Sequence, residues 1–158
     1  MAHKSWREKL LSDNPKSGKL PRVVNLNEKQ QAFFKAKTLA IPSPMEVDEL
    51  MRKVPKGKLT TINDMRGVIA KRHKADAGCP VTTGIFAWIA SHAAEEERNE
   101  GKKRITPYWR TLKNGGELNP KYPGGIKEQS AALRAEGFKI RAKGKRAFVE
   151  DYEKYLVR

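Results

Sequence analysis

Apolar and polar positions alternate along this chain in short runs, each closed by proline, glycine or a capping residue. The spacing predicts a short helix over residues 5–11 and a second over 28–37, where Phe33 and Phe34 follow Gln30 and Gln31 in a weak amphipathic pattern. Between them, residues 14–21 read as a connector. Ile41-Pro42-Ser43-Pro44 marks a boundary, and Ser43-Pro44-Met45-Glu46 has the form of a helix start: a serine cap, proline in the first turn and glutamate three residues after the cap. Val47, Leu50, Met51 and Val54 give that helix its inward face. Thr60 and Thr61 begin another, with Asp64 placed to complete a capping box and Ile62, Met65, Val68 and Ile69 on one side. A basic, helix-breaking connector over 71–80 precedes a third helix, expected over 83–94 with Thr82 or Thr83 as cap. On it, Ile85, Trp88, Ile89 and His92 or Ala93 share a face. Lys113-Asn114-Gly115-Gly116 and Asn119-Pro120-Lys121-Tyr122-Pro123-Gly124-Gly125 read as turns. A helix over 126–135 with Ala132 and Leu133 inward ends at Glu136-Gly137. Phe138-Lys139-Ile140-Arg141 and Arg146-Ala147-Phe148-Val149 flank Lys143-Gly144-Lys145 as a very basic hairpin. Residues 151–157 close the chain, with Tyr152, Tyr155 and Leu156 available to pack.

This pattern describes a mainly α fold with a small β-hairpin. Residues 1–40 form a basic N-terminal accessory segment, and 41–158 a winged helix-turn-helix domain whose reader is the 83–94 helix and whose wing is the hairpin. In that reading Thr61, Thr82, Thr83, Gly84, Arg110, Lys143 and Lys145 meet DNA. Glu95-Glu96-Glu97 is expected to be a solvated far end of the reader helix, because carboxylates are repelled by phosphates.

The charge balance strengthens the nucleic-acid reading. In 158 residues there are 33 lysines and arginines against 18 aspartates and glutamates, a formal net charge of +15. Such an excess favours a polyanionic partner through counterion release. No apolar run approaches the roughly 20 residues of a membrane span, and the start lacks the apolar core of a signal peptide, so a cytoplasmic monomer is expected, nucleoid-associated in a bacterium or archaeon. The single cysteine, Cys79, excludes an internal disulfide and a multi-cysteine zinc site. His3, His73 and His92 lack metal-ligand spacing, so neither metal nor cofactor is expected.

The candidate chemistry concentrates in Arg104-Ile105-Thr106-Pro107-Tyr108-Trp109-Arg110, read as a strand end bent by Pro107. Tyr108 and Trp109 offer faces that can stack on a base, and Arg110 a guanidinium for phosphate or a guanine edge; the alternative is a buried aromatic strand end with a solvated arginine.

Val54-Pro55-Lys56-Gly57-Lys58-Leu59-Thr60-Thr61, the helix pair, Pro107-Tyr108-Trp109-Arg110, Tyr122-Pro123-Gly124-Gly125-Ile126 and Leu133-Arg134-Ala135-Glu136-Gly137 occur in an order that resembles the DNA-binding domain of O6-alkylguanine-DNA alkyltransferases. The resemblance covers residues 44–140 and leaves 1–40 unmatched. In that family the reactive loop reads Pro-Cys-His-Arg, and its cysteine takes the alkyl group from a flipped guanine. Here Tyr108 stands at the cysteine position and Trp109 at the histidine position. A phenol with an ordinary pKa near 10 is a poor nucleophile at neutral pH, and an indole donates but cannot accept a proton. The resemblance implies that Glu136 is the glutamate that orients the histidine, and that Tyr122 and Gly124 belong to the base pocket. It also places Thr83 or Gly84 where the family carries the arginine that fills the space left by the base, and Ile62 where it has a phosphate-pushing tyrosine. Loss of the cysteine with retention of the pocket is similar to the alkyltransferase-like branch, whose members bind alkylated guanine without repairing it and flag it, commonly for nucleotide excision repair. The implied lesion pocket is Tyr108, Trp109, Tyr122, Gly124 and Glu136. Two other functions stand beside this one: a general winged-helix nucleic-acid binder in which the pocket is merely core, and an active transferase using Cys79, which precedes a helix N-terminus.

Overall fold

The computed structural model describes residues 5–12 and 18–157. His3 and residues 14–17 of the expected 14–21 connector lie outside these. Among the described residues there are six α-helices: α1 (Trp6–Leu11), α2 (Glu28–Phe34), α3 (Pro44–Arg52), α4 (Ile62–Arg72), α5 (Pro80–Asn99) and α6 (Gly125–Ala135). Seven short strands form three separate sheets: β1 (Arg22–Asn25), β2 (Thr38–Ile41) and β4 (Ala77–Gly78); β3 (Thr60–Thr61) and β5 (Thr111–Leu112); and β6 (Ile140–Lys143) with β7 (Arg146–Val149).

Helix starts follow their caps. Ser43 accepts the Glu46 amide at 3.2 Å with Pro44 opening α3, and Thr61 accepts the Asp64 amide at 3.1 Å at the head of α4. Val47, Met51 and Val54 are buried as expected, as are Met65 and Ile69, whereas Val68 is exposed. The basic hairpin forms as read: Lys143 pairs with Arg146 across a two-residue loop that starts at Gly144 with φ +62°, the positive value such a loop favours at glycine.

Several expectations change. The fold is mixed rather than mainly α, because the accessory segment builds a sheet. β1 runs antiparallel to β2, and β2 runs parallel to β4, so residues 1–40 and the rest share hydrogen bonds and the 40/41 boundary falls inside β2. Residues 104–107 are not a strand. Thr106 is instead buried with its hydroxyl donating to Asp48 at 2.6 Å, residues Tyr108–Arg110 form a 3-10 turn, and pairing resumes only at Thr111. The third helix begins at Pro80 rather than residue 83 and has no side-chain cap from Thr82 or Thr83.

The inward face of α5 also differs from the one its large apolar residues suggested. Thr83, Ala87, Ala90, Ser91 and Ala94 face inward, and small side chains let the helix approach Val47 and Met51 of α3 closely. Ile85 is left 45% exposed. A second core under the hairpin joins Leu59, Leu112, Leu118, Leu133, Phe138, Ala147 and Val149. Among the described residues no helix is long and apolar enough to cross a membrane.

Candidate nucleic-acid interface

The expected lesion pocket is a closed cluster. Pro107 lacks an amide proton, and the Tyr108 amide donates to Thr106 O at 2.8 Å, which turns the chain inward. Tyr108 is consequently 4% exposed and packs edge-on against Trp109 and Tyr122, the latter 3% exposed. Its hydroxyl donates to Glu95 at 3.2 Å. Burial, with the Glu95 carboxylate adding to it, pushes the phenol up to about 12, and burial likewise raises Tyr122. Both phenols stay protonated at neutral pH, so Tyr108 is a hydrogen-bond donor in packing and not a nucleophile.

Glu136 ties the cluster to the core below. It accepts the Trp109 indole N–H at 2.6 Å, the Arg110 guanidinium at 2.9–3.0 Å and the Gly57 amide at 3.1 Å. Burial raises its carboxyl, but the Arg110 guanidinium, the indole and the Gly57 amide outweigh that and hold it below the usual carboxylate range. An indole N–H therefore occupies the place where the resemblance called for an imidazole: Trp109 donates to Glu136 and has no basic nitrogen of its own. Arg110 also donates to Val54 O at 2.8 Å and is mostly enclosed, so it is committed inside the fold and does not reach out to a phosphate.

The DNA-facing set narrows in the same way. Thr61 is buried as the α4 cap. Thr83 is fully buried with its hydroxyl donating to Cys79 O at 2.6 Å, and the Thr82 hydroxyl is enclosed without a hydrogen-bond partner. Gly84, Lys143 and Lys145 remain outward. Gly124 stands at the head of α6 with φ +76°, where a Cβ would strike Glu128, so its role is to let the loop turn. Cys79 is buried against Leu26 and Leu39 in the accessory core. Two residues of the acidic cluster are not simply solvated: Glu95 holds Tyr108, and Glu96 holds the backbone of α1.

Beside this closed cluster lies an open groove of about 860 Å³. Its floor is the outward face of α5, on which Val81, Gly84, Ile85 and Trp88 recur at helical spacing. Ile62 of α4 closes one side, and the stretch carrying Lys113, Asn119 and Lys121 closes the other, together with Glu117, whose carboxylate is taken up by Arg146 and lies 3.9 Å from Lys113. Of the two positions where the resemblance places the family arginine, Gly84 faces this groove and Thr83 is buried in the core. A side chain added at Gly84 would meet nothing within 4 Å. The groove thus pairs an apolar floor with a lysine-bearing rim, the chemistry that suits a base and its phosphate. The signal that marks it in the sequence is the i, i+3, i+4, i+7 spacing of Val81, Gly84, Ile85 and Trp88, of which Ile85 and Trp88 belong to the apolar face expected for this helix.

The hairpin adds charge to one edge of the molecule. Arg146 is held bidentately by Glu117 at 2.9 Å, which leaves Lys143 and Lys145 as the outward cations of its loop. A second cleft, of about 550 Å³, is lined by Glu150, Asp151 and Glu153 together with Arg141 and Lys154.

No protein-family model matches the sequence, and no curated relative does. In fold the chain is similar to a solved structure of S. pombe Atl1 in complex with damaged DNA containing O6-carboxymethylguanine, and to one of S. pombe ATL in complex with DNA. Each is 15% identical, with a TM-score of 0.53 over 73% of this chain and 94% of the other. The chain therefore has the fold of the alkyltransferase-like structures that its motifs resemble.

Proposed function

We propose that this protein binds duplex DNA without transferring any group to itself, and that it senses O6-alkylguanine or related base damage. The observation that carries the first half is the state of the acceptor position: a buried phenol donating to Glu95, beside an indole that donates to Glu136. The phenol is protonated at neutral pH and the indole beside it has no basic nitrogen, so neither residue supplies the nucleophile that alkyl transfer needs. DNA as the partner is supported by the net charge of +15, the outward lysines of the hairpin and the likeness in fold to DNA-bound structures. On this reading α5 lies in a groove of the duplex, and the space over Gly84, Ile85 and Trp88 receives the displaced base. Because the lesion is bound and not repaired, it is left for another pathway, for which excision-repair proteins are the implied partners.

The closure of the Tyr108–Tyr122 cluster favours a second reading: a general duplex binder whose ancestral pocket has become core. Titration of a duplex bearing one O6-alkylguanine against its undamaged counterpart, at one fixed salt concentration, separates the two. A clear preference for the damaged duplex supports sensing, and equal affinity leaves general binding. Intact-mass measurement after incubation with alkylated DNA tests the absence of transfer, where any gain of an alkyl mass on the protein overturns it.

A further inference from the structure

Helix α1 lies outside the stretch that carries the family resemblance, yet it is built onto the same helix that floors the groove. Its first amides are held by a single side chain: the two Glu96 oxygens accept the Trp6 and Arg7 backbone N–H groups, each at 3.0 Å. Arg7 adds a bidentate contact to Glu100 at 3.0 Å, and Leu10 is buried in the main core. Seated in this way, Trp6 stacks on His92 with ring centroids 4.4 Å apart and meets Trp88 edge-on at 4.7 Å. Trp88 is part of the groove floor. His92 continues to the opposite wall: its Nε2 lies 3.2 Å from the carbonyl of Lys121, an acceptor only, so this nitrogen carries the proton and donates.

We propose that α1 is a strap that sets the shape of the groove, with Trp6 as the positioning residue. Trp6 fixes the rotamer of Trp88 on the floor and, through His92, the position of residues 119–121 on the rim. The rim loop is also held from the α6 side, where the Asn119 amide donates to Gln129 at 2.8 Å, so Trp6 and His92 brace it from the α5 side. Trp6 itself need not touch DNA. The inference rests on duplex DNA being the ligand of the groove, and it assigns to the N-terminal segment a role in binding strength and selectivity that its basic charge alone does not.

The test uses the full-length chain and four proteins: wild type, Trp6→Ala, Trp6→Phe and Arg7→Ala. Each is titrated with one fluorescent duplex over a series of salt concentrations, and amide exchange is followed at Tyr122 and Gly125, whose N–H groups donate to Asn119 O and Tyr122 O within the rim loop. Trp6→Ala is expected to weaken binding about 5- to 10-fold, the scale of one lost well-placed contact, and to speed exchange at both amides. The slope of affinity against salt should stay the same, since no phosphate contact is removed. Trp6→Phe, which keeps a ring on His92, should restore most of the affinity. Arg7→Ala loosens the strap at its surface without touching the core, and should shift both readouts in the same direction by less. Wild-type binding with Trp6→Ala within twofold of it, and exchange at the two amides unchanged, overturns the strap. Failure of the wild type to bind any duplex overturns the DNA reading first, and the strap's role in binding with it.

Discussion

The cluster around Glu136 and the groove along α5 lie side by side and are built from similar residues, aromatics and basic side chains, yet they are opposite kinds of place. In the cluster every strong donor has an acceptor: the Trp109 indole, the Arg110 guanidinium and the Gly57 amide converge on one carboxylate, and the Tyr108 hydroxyl has Glu95. In the groove, Val81 and Ile85 are 60% and 45% exposed, and the space above Gly84 is empty. A satisfied, buried network stabilises a fold and has little left to offer a ligand, whereas an open apolar floor with cations at its rim gains from being covered. The contrast moves the expected point of contact with DNA from Tyr108 and Trp109 to the outward face of the neighbouring helix.

The largest effect should come from breaking the cluster. Glu136→Ala leaves Arg110 as an uncompensated buried charge, a change that costs about 3–5 kcal/mol and in a domain of this size lowers Tm by roughly 6–20 °C. A thermal melt that moves by less than a few degrees would show that the network is not closed. Acid should loosen the same bond reversibly. Because the folded carboxyl of Glu136 lies below its ordinary value of 4.5, its contribution is complete above that pH and is lost as the pH falls below it through the lower folded value. Chemical denaturation at a series of pH values should therefore show a loss of stability in acid that Glu136→Gln lacks.

On the groove side the expected changes are in binding and not in folding. Ile85→Asp places a carboxylate on the floor at a half-exposed position, and should weaken duplex binding tenfold or more, about 1.4 kcal/mol, with Tm almost unchanged. An equal loss of stability would make Ile85 a core residue after all. A smaller and more uniform effect is expected at the hairpin: Lys143→Ala with Lys145→Ala should reduce the salt slope of binding by up to about 1.8, at roughly 0.9 per phosphate contact, for damaged and undamaged duplexes alike. The smallest expected effect is none at all. Tyr108→Cys introduces a thiol in a closed cluster with no imidazole beside it, because Trp109 still donates to Glu136, and mass measurement after exposure to alkylated DNA should show no transfer.

Local signals were legible in the chain. The caps at Ser43 and Thr61, the break before α5, the turn at Gly144 and the absence of an acceptor cysteine at Tyr108 each depend on one residue's own chemistry or on neighbours within one turn, and each could be read directly. The likeness of fold carried by the spaced motifs was legible for a related reason: the order of several short stretches along a chain survives when identity between chains has fallen to 15%. What could not be read was which face of each element would be covered. The large side chains of α5 look like its core face, but the packing of α3 selects the alanines and leaves Ile85 outside. Arg110 and Glu136 are 26 residues apart, and only the turn at Tyr108–Arg110 together with the end of α6 makes them partners. Glu96 and Trp6 are separated by 90 residues, and nothing in either segment announces that one caps the other. Hydrogen bonds and packing between distant segments are set by the geometry of the assembled chain, so the sequence by itself determined the elements and the residue types at Tyr108 and Trp109, and the tertiary structure alone decided that the cluster around them is closed and the groove beside it open.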